Sequence, residues 1–152
     1  MNHLHSLLFL LLQVSVGLAL AKNRQAIDLK AYQWKKRLLL VFAPSEDDSP
    51  YPFLKEQLER ETEGLIDRDL LVFHIFEKGE SRIGDRLLSR EQALSLRSHF
   101  SIPSGRFTVI LMGKDGGQKS REEVKVDLAE IFSIIDSMPM RQQEMRERPR
   151  QR

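Results

Sequence analysis

Residues 37–43 read Arg-Leu-Leu-Leu-Val-Phe-Ala, a continuous apolar run behind a single arginine. A short run of this kind, ended here by Pro44, predicts a strand that is buried on both faces. The pattern recurs at residues 70–76, Leu-Leu-Val-Phe-His-Ile-Phe, and at residues 107–112, Phe-Thr-Val-Ile-Leu-Met. Three such strands predict an α/β fold in which helices cover both faces of a sheet.

The segments between these strands carry helical patterns. Apolar residues recur at helical spacing after Pro50, after Ser89 and after Asp127, so the sequence predicts three helices. Gly64 is expected to end the first helix and Pro139 the last, because glycine is favoured just past a helix and proline cannot continue one.

A turn signal, Asp115-Gly116, follows the third strand. It predicts a type I′ hairpin turn, after which residues 118–126 return as a charged, antiparallel edge strand. The predicted order is β-α-β-α-β-β-α. The first two strands are expected to be parallel because a helix connects them, and the whole sheet is therefore mixed.

The first part of the chain predicts export. Residues 4–21 contain no Lys, Arg, Asp or Glu and end in Ala19-Leu20-Ala21, the small-x-small pattern of a signal peptidase site. We expect cleavage after Ala21, a secreted or periplasmic location, and no membrane span afterwards. Residues before this run lack Lys and Arg, so an uncleaved membrane anchor stays open as the alternative.

Composition divides the rest of the 152-residue chain, which is 41% hydrophobic and 30% charged, into three parts. Residues 22–33 are a polar lead-in, and residues 34–140 are expected to form one folded domain. Residues 141–152 have no apolar periodicity and contain five arginines, which predicts a flexible basic tail.

The chain has no cysteine. It therefore cannot form disulfides, and it cannot act as a thiol peroxidase or disulfide oxidoreductase, since the reactive species in those enzymes is a thiolate. The histidines have no metal-ligand spacing, and no serine belongs to a recognisable catalytic motif. The sequence predicts no cofactor, no metal and no catalytic residue.

The predicted binding residues are basic. Arginine can hold phosphate or sulfate in a bidentate manner, which makes the tail a candidate for an anionic polymer of the envelope or matrix. An unidentified protein is the other expected partner, and the net charge of +2 is too small to predict specific nucleic-acid binding. The candidate binding residues are Arg146, Arg148, Arg150, Arg152 and Lys114.

An acidic loop, residues 44–50, offers a catalytic alternative. Glu46, Asp47 and Asp48 are weak candidates for a hard cation, and with Arg97 or Lys114 they would make an enzyme of unrecognised chemistry. Three adjacent acids without ligand spacing are also typical of a solvated loop.

Five strings of residues resemble one family. They are residues 37–44, 67–69, 96–97, the Gly-Lys-Asp-Gly-Gly string at 113–117 and the Met-Pro-Met-Arg-Gln-Gln-Glu-Met string at 138–145. The chain resembles a small secreted domain of unknown function found in bacteria and in animal matrix proteins of the sushi-repeat-containing and coiled-coil-domain-containing type. The resemblance implies a thioredoxin-like fold related to peroxiredoxins. It implies no catalytic residue, because none is established for that family.

Overall fold

The computed structural model describes residues 26–148, so the predicted signal peptide lies outside the described residues. A six-stranded sheet has the order β4-β3-β2-β1-β5-β6. Its strands are β1 (Arg37–Ala43), β2 (Leu70–Phe76), β3 (Arg82–Ile83), β4 (Arg86–Leu87), β5 (Thr108–Met112) and β6 (Gln118–Glu122). The helices are α1 (Pro50–Arg60), α2 (Thr62–Asp67), α3 (Arg90–His99), α4 (Leu128–Ser137) and α5 (Pro139–Glu147), after a 3₁₀ turn at Leu29–Tyr32.

Strand β1 lies at the centre of this sheet. It pairs with β2 in parallel and with β5 antiparallel, and all seven of its residues are buried. Burial on both faces explains its unbroken apolar run, since neither set of alternating side chains faces water. The predicted mixed sheet with helices on both faces is confirmed.

The two faces of β1 belong to two separate cores. Leu39 and Val41 pack with α1 and α4, whereas Leu38, Leu40 and Phe42 pack with α3 and the 3₁₀ turn. Successive strand residues point to opposite faces, so this division follows from the strand itself. Within residues 26–148, no helix is long and apolar enough to cross a membrane.

Two connections differ from the sequence prediction. The helix after Pro50 is broken at Glu61, and Gly64 lies inside α2 instead of ending α1. A Cβ on Gly64 would lie 2.8 Å from the ring of Phe132, so this glycine permits close packing of α2 on α4. The segment between β2 and α3 contains β3 and β4, whose two residues each are too short to produce a periodic pattern.

Helix α5 is the largest correction. Pro139 follows the end of α4, as predicted, but it also occupies the first turn of a further helix that extends to Glu147. The prediction of a flexible tail at residues 141–152 is therefore wrong for residues 141–147. Arg141 is only 3% exposed, so polar contacts hold α5 to the domain, and a search for apolar periodicity could not detect it.

The turn between β5 and β6 is also of another type. Gly116 has φ of +80°, as expected, and its N–H donates to the carbonyl of Gly113 (3.0 Å). Asp115 is not among the residues with positive φ, which a type I′ turn requires at both central positions. The loop instead has a single left-handed residue, and a bulge lies beside it between Leu111 and Met112.

Gly116→Ala should lower the free energy of unfolding by about 1–2 kcal/mol, because a Cβ is strained at this positive φ. The new methyl group itself has room, since the nearest atom is 3.5 Å away in the Gln33 side chain. Gly117→Ala is the matched control, because Gly117 has no positive φ and a similar 3.5 Å clearance. Equal effects in urea unfolding would contradict this account of the turn.

Candidate functional site

One candidate site lies where β1 ends and α1 begins. Tyr51 is in the first turn of α1, its side chain is fully buried, and its hydroxyl lies 3.0 Å from Nδ1 of His74. His74 is on the parallel neighbour β2, and the Tyr51 ring also packs edge-on against Phe76 with centroids 4.8 Å apart. The first turn of α1 thus places a phenol within hydrogen-bond distance of an imidazole.

The surroundings keep both members of this pair neutral. Burial raises the pKa of Tyr51 to about 12, although Arg82 acts in the opposite direction. Burial, with the positive charges of Arg82 and Lys55, lowers the pKa of His74 to about 4. At neutral pH the pair therefore contains neither a phenolate nor an imidazolium, and Tyr51 is a poor nucleophile.

The acidic loop does not form the predicted alternative site. Glu46 lies between Lys55 and Arg82, with a carboxylate oxygen 3.4 Å from a nitrogen of each, while Asp47 is exposed. Within residues 26–148, no group of three or more His, Asp or Glu side chains is arranged to hold a metal ion.

Neither proposed cationic helper joins this loop. Arg97 is buried on the other face, where its Nη2 contacts Glu77 Oε1 (2.5 Å) and the carbonyl of Pro103 (2.9 Å). Lys114 lies at the opposite end of the sheet, beside Asp69 at the start of β2. Neither cation has an ion pair with Glu46, Asp47 or Asp48 within residues 26–148, and Arg97 Nη1 lies 3.5 Å from the carbonyl of Ala43, just before the loop.

The other notable cluster lies at the beginning of β1 and β2 and is centred on Glu144 of α5. The Glu144 carboxylate receives two hydrogen bonds from Arg37, both 3.1 Å, and one of 2.7 Å from Lys114. Arg37 is only 1% exposed and also donates to the carbonyl of Arg68 (2.8 Å). Lys114 is shared with Asp69 at 2.9 Å.

A second set of ion pairs extends this cluster. Arg68 binds Asp136 through two hydrogen bonds of 3.1 and 2.6 Å, and Arg141 contacts both Asp136 and Asp67. We call the whole group the basal ion cluster. Its members are Arg37, Asp67, Arg68, Asp69, Lys114, Asp136, Arg141 and Glu144.

Two carboxylates of the basal ion cluster, Glu144 and Asp136, have lowered pKa values. Burial alone would raise the pKa of Glu144, but hydrogen bonds from Arg37 and Lys114 outweigh it and hold that pKa below its usual range. For Asp136 burial is likewise outweighed by hydrogen bonds from Arg68 and Arg141, so its pKa is also lowered. With four cations paired to four carboxylates, the cluster is charge-compensated.

The structure separates the predicted binding residues. Lys114 is inside the basal ion cluster, and Arg148 at the end of α5 contacts Asp67. Arg146 is exposed on α5 and makes no ion pair within residues 26–148. Arg150 and Arg152 lie outside the described residues.

The sequence has no motif at Tyr51, and its histidines lack metal-ligand spacing, so this pair was not predicted. The available signal was weak, since His74 is a polar residue inside an apolar strand. The basal ion cluster had a stronger signal, because four of the five strings used for the family resemblance contribute to it. Their contributing residues are Arg37, Asp67, Arg68, Asp69, Lys114, Arg141 and Glu144.

Comparison with known proteins places these residues in a family. A model of a domain of unknown function, DUF4174, matches residues 28–144. The chain belongs to this family. The matched range contains the complete sheet, the Tyr51–His74 pair and the whole basal ion cluster, including Glu144 at its last position.

The DUF4174 chain is 31% identical over 137 residues to the human sushi repeat-containing protein SRPX, covering 88% of the chain and 29% of SRPX. It is 28% identical over 136 residues to the zebrafish coiled-coil domain-containing protein 80, covering 77% of the chain and 15% of that relative. The chain thus spans less than a third of either relative.

The solved structures show the fold. The DUF4174 chain superposes on the reduced 2-Cys peroxiredoxin of Plasmodium vivax with a TM-score of 0.58 and 16% identity, covering 77% of the chain and 85% of the peroxiredoxin. A mitochondrial 2-Cys peroxiredoxin of Plasmodium falciparum gives 0.52 and 11%, with 73% and 80% covered. The predicted thioredoxin-like fold is confirmed, as is the family resemblance.

Glu144→Gln should lower the free energy of unfolding by about 3 kcal/mol, because it leaves the buried Arg37 without a counter-charge, while Lys114 keeps Asp69. Glu147→Gln, on the exposed side of the same helix, should change it by less than about 0.5 kcal/mol. Chemical denaturation of both variants at pH 7 measures the difference. A Glu144→Gln protein as stable as Glu147→Gln would show that α5 is not held by this cluster.

Stability should fall by about 3 kcal/mol as pH decreases from about 6.5 to 4, because unfolded His74 binds a proton in this window and folded His74 does not. The stability is at its full value above the pKa of unfolded His74. It is lost progressively as pH falls through this window to the pKa of folded His74. His74→Asn keeps a polar atom near Tyr51 but cannot titrate, so it should flatten this part of the pH–stability curve. An unchanged slope would contradict the assignment to His74.

Proposed function

We propose that this DUF4174 chain is an exported thioredoxin-like module that acts by binding and has no thiol redox activity. One observation carries the proposal: fully buried Tyr51 occupies the first turn of the helix that follows β1. In thioredoxin-like enzymes that region holds the nucleophilic cysteine, whose pKa is lowered at the helix N-terminus. Here the described residues of that region contain no thiol, and the buried side chain of its first helical turn is a phenol.

Two further observations support a binding role outside the cell. The relatives are much longer proteins, and one is a sushi repeat-containing protein, which suits a module within a larger assembly. The hydrophobic segment that ends in Ala19-Leu20-Ala21 supports export. The proposed partner is a protein or an anionic polymer of an envelope or matrix.

The geometry narrows the basic residues that such a polymer could contact. Lys114 and Arg148 already face carboxylates, so the exposed and unpaired Arg146 is the best candidate among the described residues. Arg150 and Arg152 extend the same positive charge along the chain.

The first test concerns chemistry. A metal-free preparation of residues 22–152 should show no peroxide-dependent oxidation of a dithiol reductant and no disulfide reduction above the buffer rate, because no thiolate is available. An authentic peroxiredoxin assayed in parallel demonstrates sensitivity. Turnover by the cysteine-free chain would overturn the non-catalytic assignment.

The second test concerns the polymer. Retention of residues 22–152 on immobilised dextran sulfate at low salt should decrease steeply as salt rises, because counterions are released on binding. Truncation after Arg148 and the substitution Arg146→Gln should each weaken retention. Arg106→Gln removes an equal charge from an exposed position elsewhere and should have little effect. Equal retention of all four proteins would remove the basic segment from the proposed function.

A further inference from the structure

Methionine supplies all the oxidisable sulfur of this chain, which has five methionines and no cysteine. Two of them, Met140 and Met145, lie on α5 and are equally exposed, at 39% each. Peroxides convert an accessible thioether to a sulfoxide. Exposure alone therefore makes the two side chains equally susceptible, and any difference between them must come from their surroundings.

Met140 lines a cavity that Met145 does not line. The cavity has a volume of about 500 Å³ and is bounded on one side by the start of α5. Its other side is formed by the turn between β5 and β6, including Lys114 and Asp115, and by Lys119 of β6. The Met140 thioether thus shares a cavity with polar groups of this turn.

The acceptors on the turn side of the cavity are already engaged. The backbone carbonyls of residues 113–115 each accept a hydrogen bond, with lengths from 2.6 to 3.0 Å. The Asp115 carboxylate accepts one from the N–H of Gly117 at 3.1 Å and another from Lys119 Nζ at 2.6 Å. None of these acceptors lacks a donor.

The donors on the same side are not all used. Lys119 Nζ carries three N–H groups, and its one hydrogen-bond partner within residues 26–148 is Asp115. Its side chain is 32% exposed, so the remaining N–H groups can be reached. Arg37 also lines the cavity, and its buried Nε has no partner among the described residues. The cavity therefore favours a hydrogen-bond acceptor, and a neutral acceptor is sufficient.

We propose that Met140 is an oxidation site, at which hydrogen peroxide forms a sulfoxide whose oxygen accepts a hydrogen bond from Lys119 Nζ. The Met140 sulfur donates an electron pair to one peroxide oxygen, and the O–O bond breaks. The other oxygen leaves as water with both peroxide protons, so the thioether loses two electrons and the peroxide gains two. An N–H group of Lys119 assists this step by donating to the departing oxygen.

Oxidation adds a contact that the reduced protein lacks. A thioether sulfur is a weak acceptor, whereas the sulfoxide is polar. Because Lys119 belongs to β6, its hydrogen bond to oxidised Met140 joins α5 to the edge strand. In the reduced protein, α5 is held by the ion pairs of Arg141 and Glu144. The modification therefore tightens the attachment of α5.

The first test compares rates of oxidation. Residues 22–152 are treated with hydrogen peroxide, and peptide mass spectrometry follows each methionine. Met140 should form its sulfoxide at least about threefold faster than Met145, because Lys119 assists the reaction only at Met140. Met145 is the internal control, since it has the same exposure on the same helix. Equal rates, or faster oxidation of Met145, would overturn the proposal.

Variants assign the difference to Lys119. Lys119→Leu should make the rates at Met140 and Met145 equal, and it leaves the basal ion cluster intact because Lys119 pairs only with Asp115. Lys78→Leu removes an equal charge from an exposed position outside the cavity and should keep the difference. Circular dichroism and thermal melting confirm that each variant is folded. An unchanged ratio of rates in Lys119→Leu would overturn the role of this lysine.

Hydrogen–deuterium exchange tests the new contact. Protein oxidised at Met140 alone, prepared from Met145→Leu by limited peroxide, should exchange the amide protons of α5 at least about twofold more slowly than the reduced protein. Methionine sulfoxide reductases should restore the original rate. The same oxidation in a Lys119→Leu background should give no slowing. Faster exchange after oxidation, or equal slowing in both backgrounds, would contradict the hydrogen bond from Lys119.

These experiments are separate from those on the proposed function. Oxidation of Met140 consumes one peroxide per chain, needs no dithiol and involves no anionic polymer. Failure of the proposal would leave the absence of thiol chemistry and the retention on dextran sulfate unaffected. Peroxidase turnover with a dithiol, in contrast, would overturn the proposed function and not the oxidation site.

Discussion

The rest of the structure depends on the ion pairs that Glu144 makes with Arg37 and Lys114. Arg37 begins the central strand and is almost completely buried, and a buried guanidinium is tolerated only with a counter-charge and further hydrogen bonds. Glu144 supplies the charge and the carbonyl of Arg68 another acceptor. These ion pairs thereby hold α5 against the start of β1 and β2.

A different interaction holds the opposite end of β1. There the chain enters α1, and Tyr51 fills the first turn with a buried ring whose hydroxyl is bonded to His74. The start of β1 is thus held by the charge-compensated basal ion cluster. Its end is held by a neutral polar pair.

The fold is shared with thiol peroxidases, but the lack of cysteine excludes thiol chemistry on it. The peroxiredoxin likeness shows the scaffold alone, and the scaffold places a helix start at the end of the first strand. Burial raises the pKa of the residue found there, Tyr51, which removes it from nucleophilic chemistry at neutral pH.

The sequence by itself determined the central sheet, its helical cover and the exclusion of thiol chemistry. Apolar runs and helical spacing are local properties, so β1, β2, β5 and α4 could be recognised from neighbouring residues. Helix α5 could not, because its attachment depends on Glu144 meeting an arginine 107 positions earlier, and charge pairing over such a separation has no local pattern. The type of the turn at Gly116 also required the backbone angles of Asp115. Only the tertiary structure decided that Lys114 is an internal cation and that Tyr51 meets His74, because parallel pairing of β1 with β2 is what brings the start of α1 beside the middle of β2.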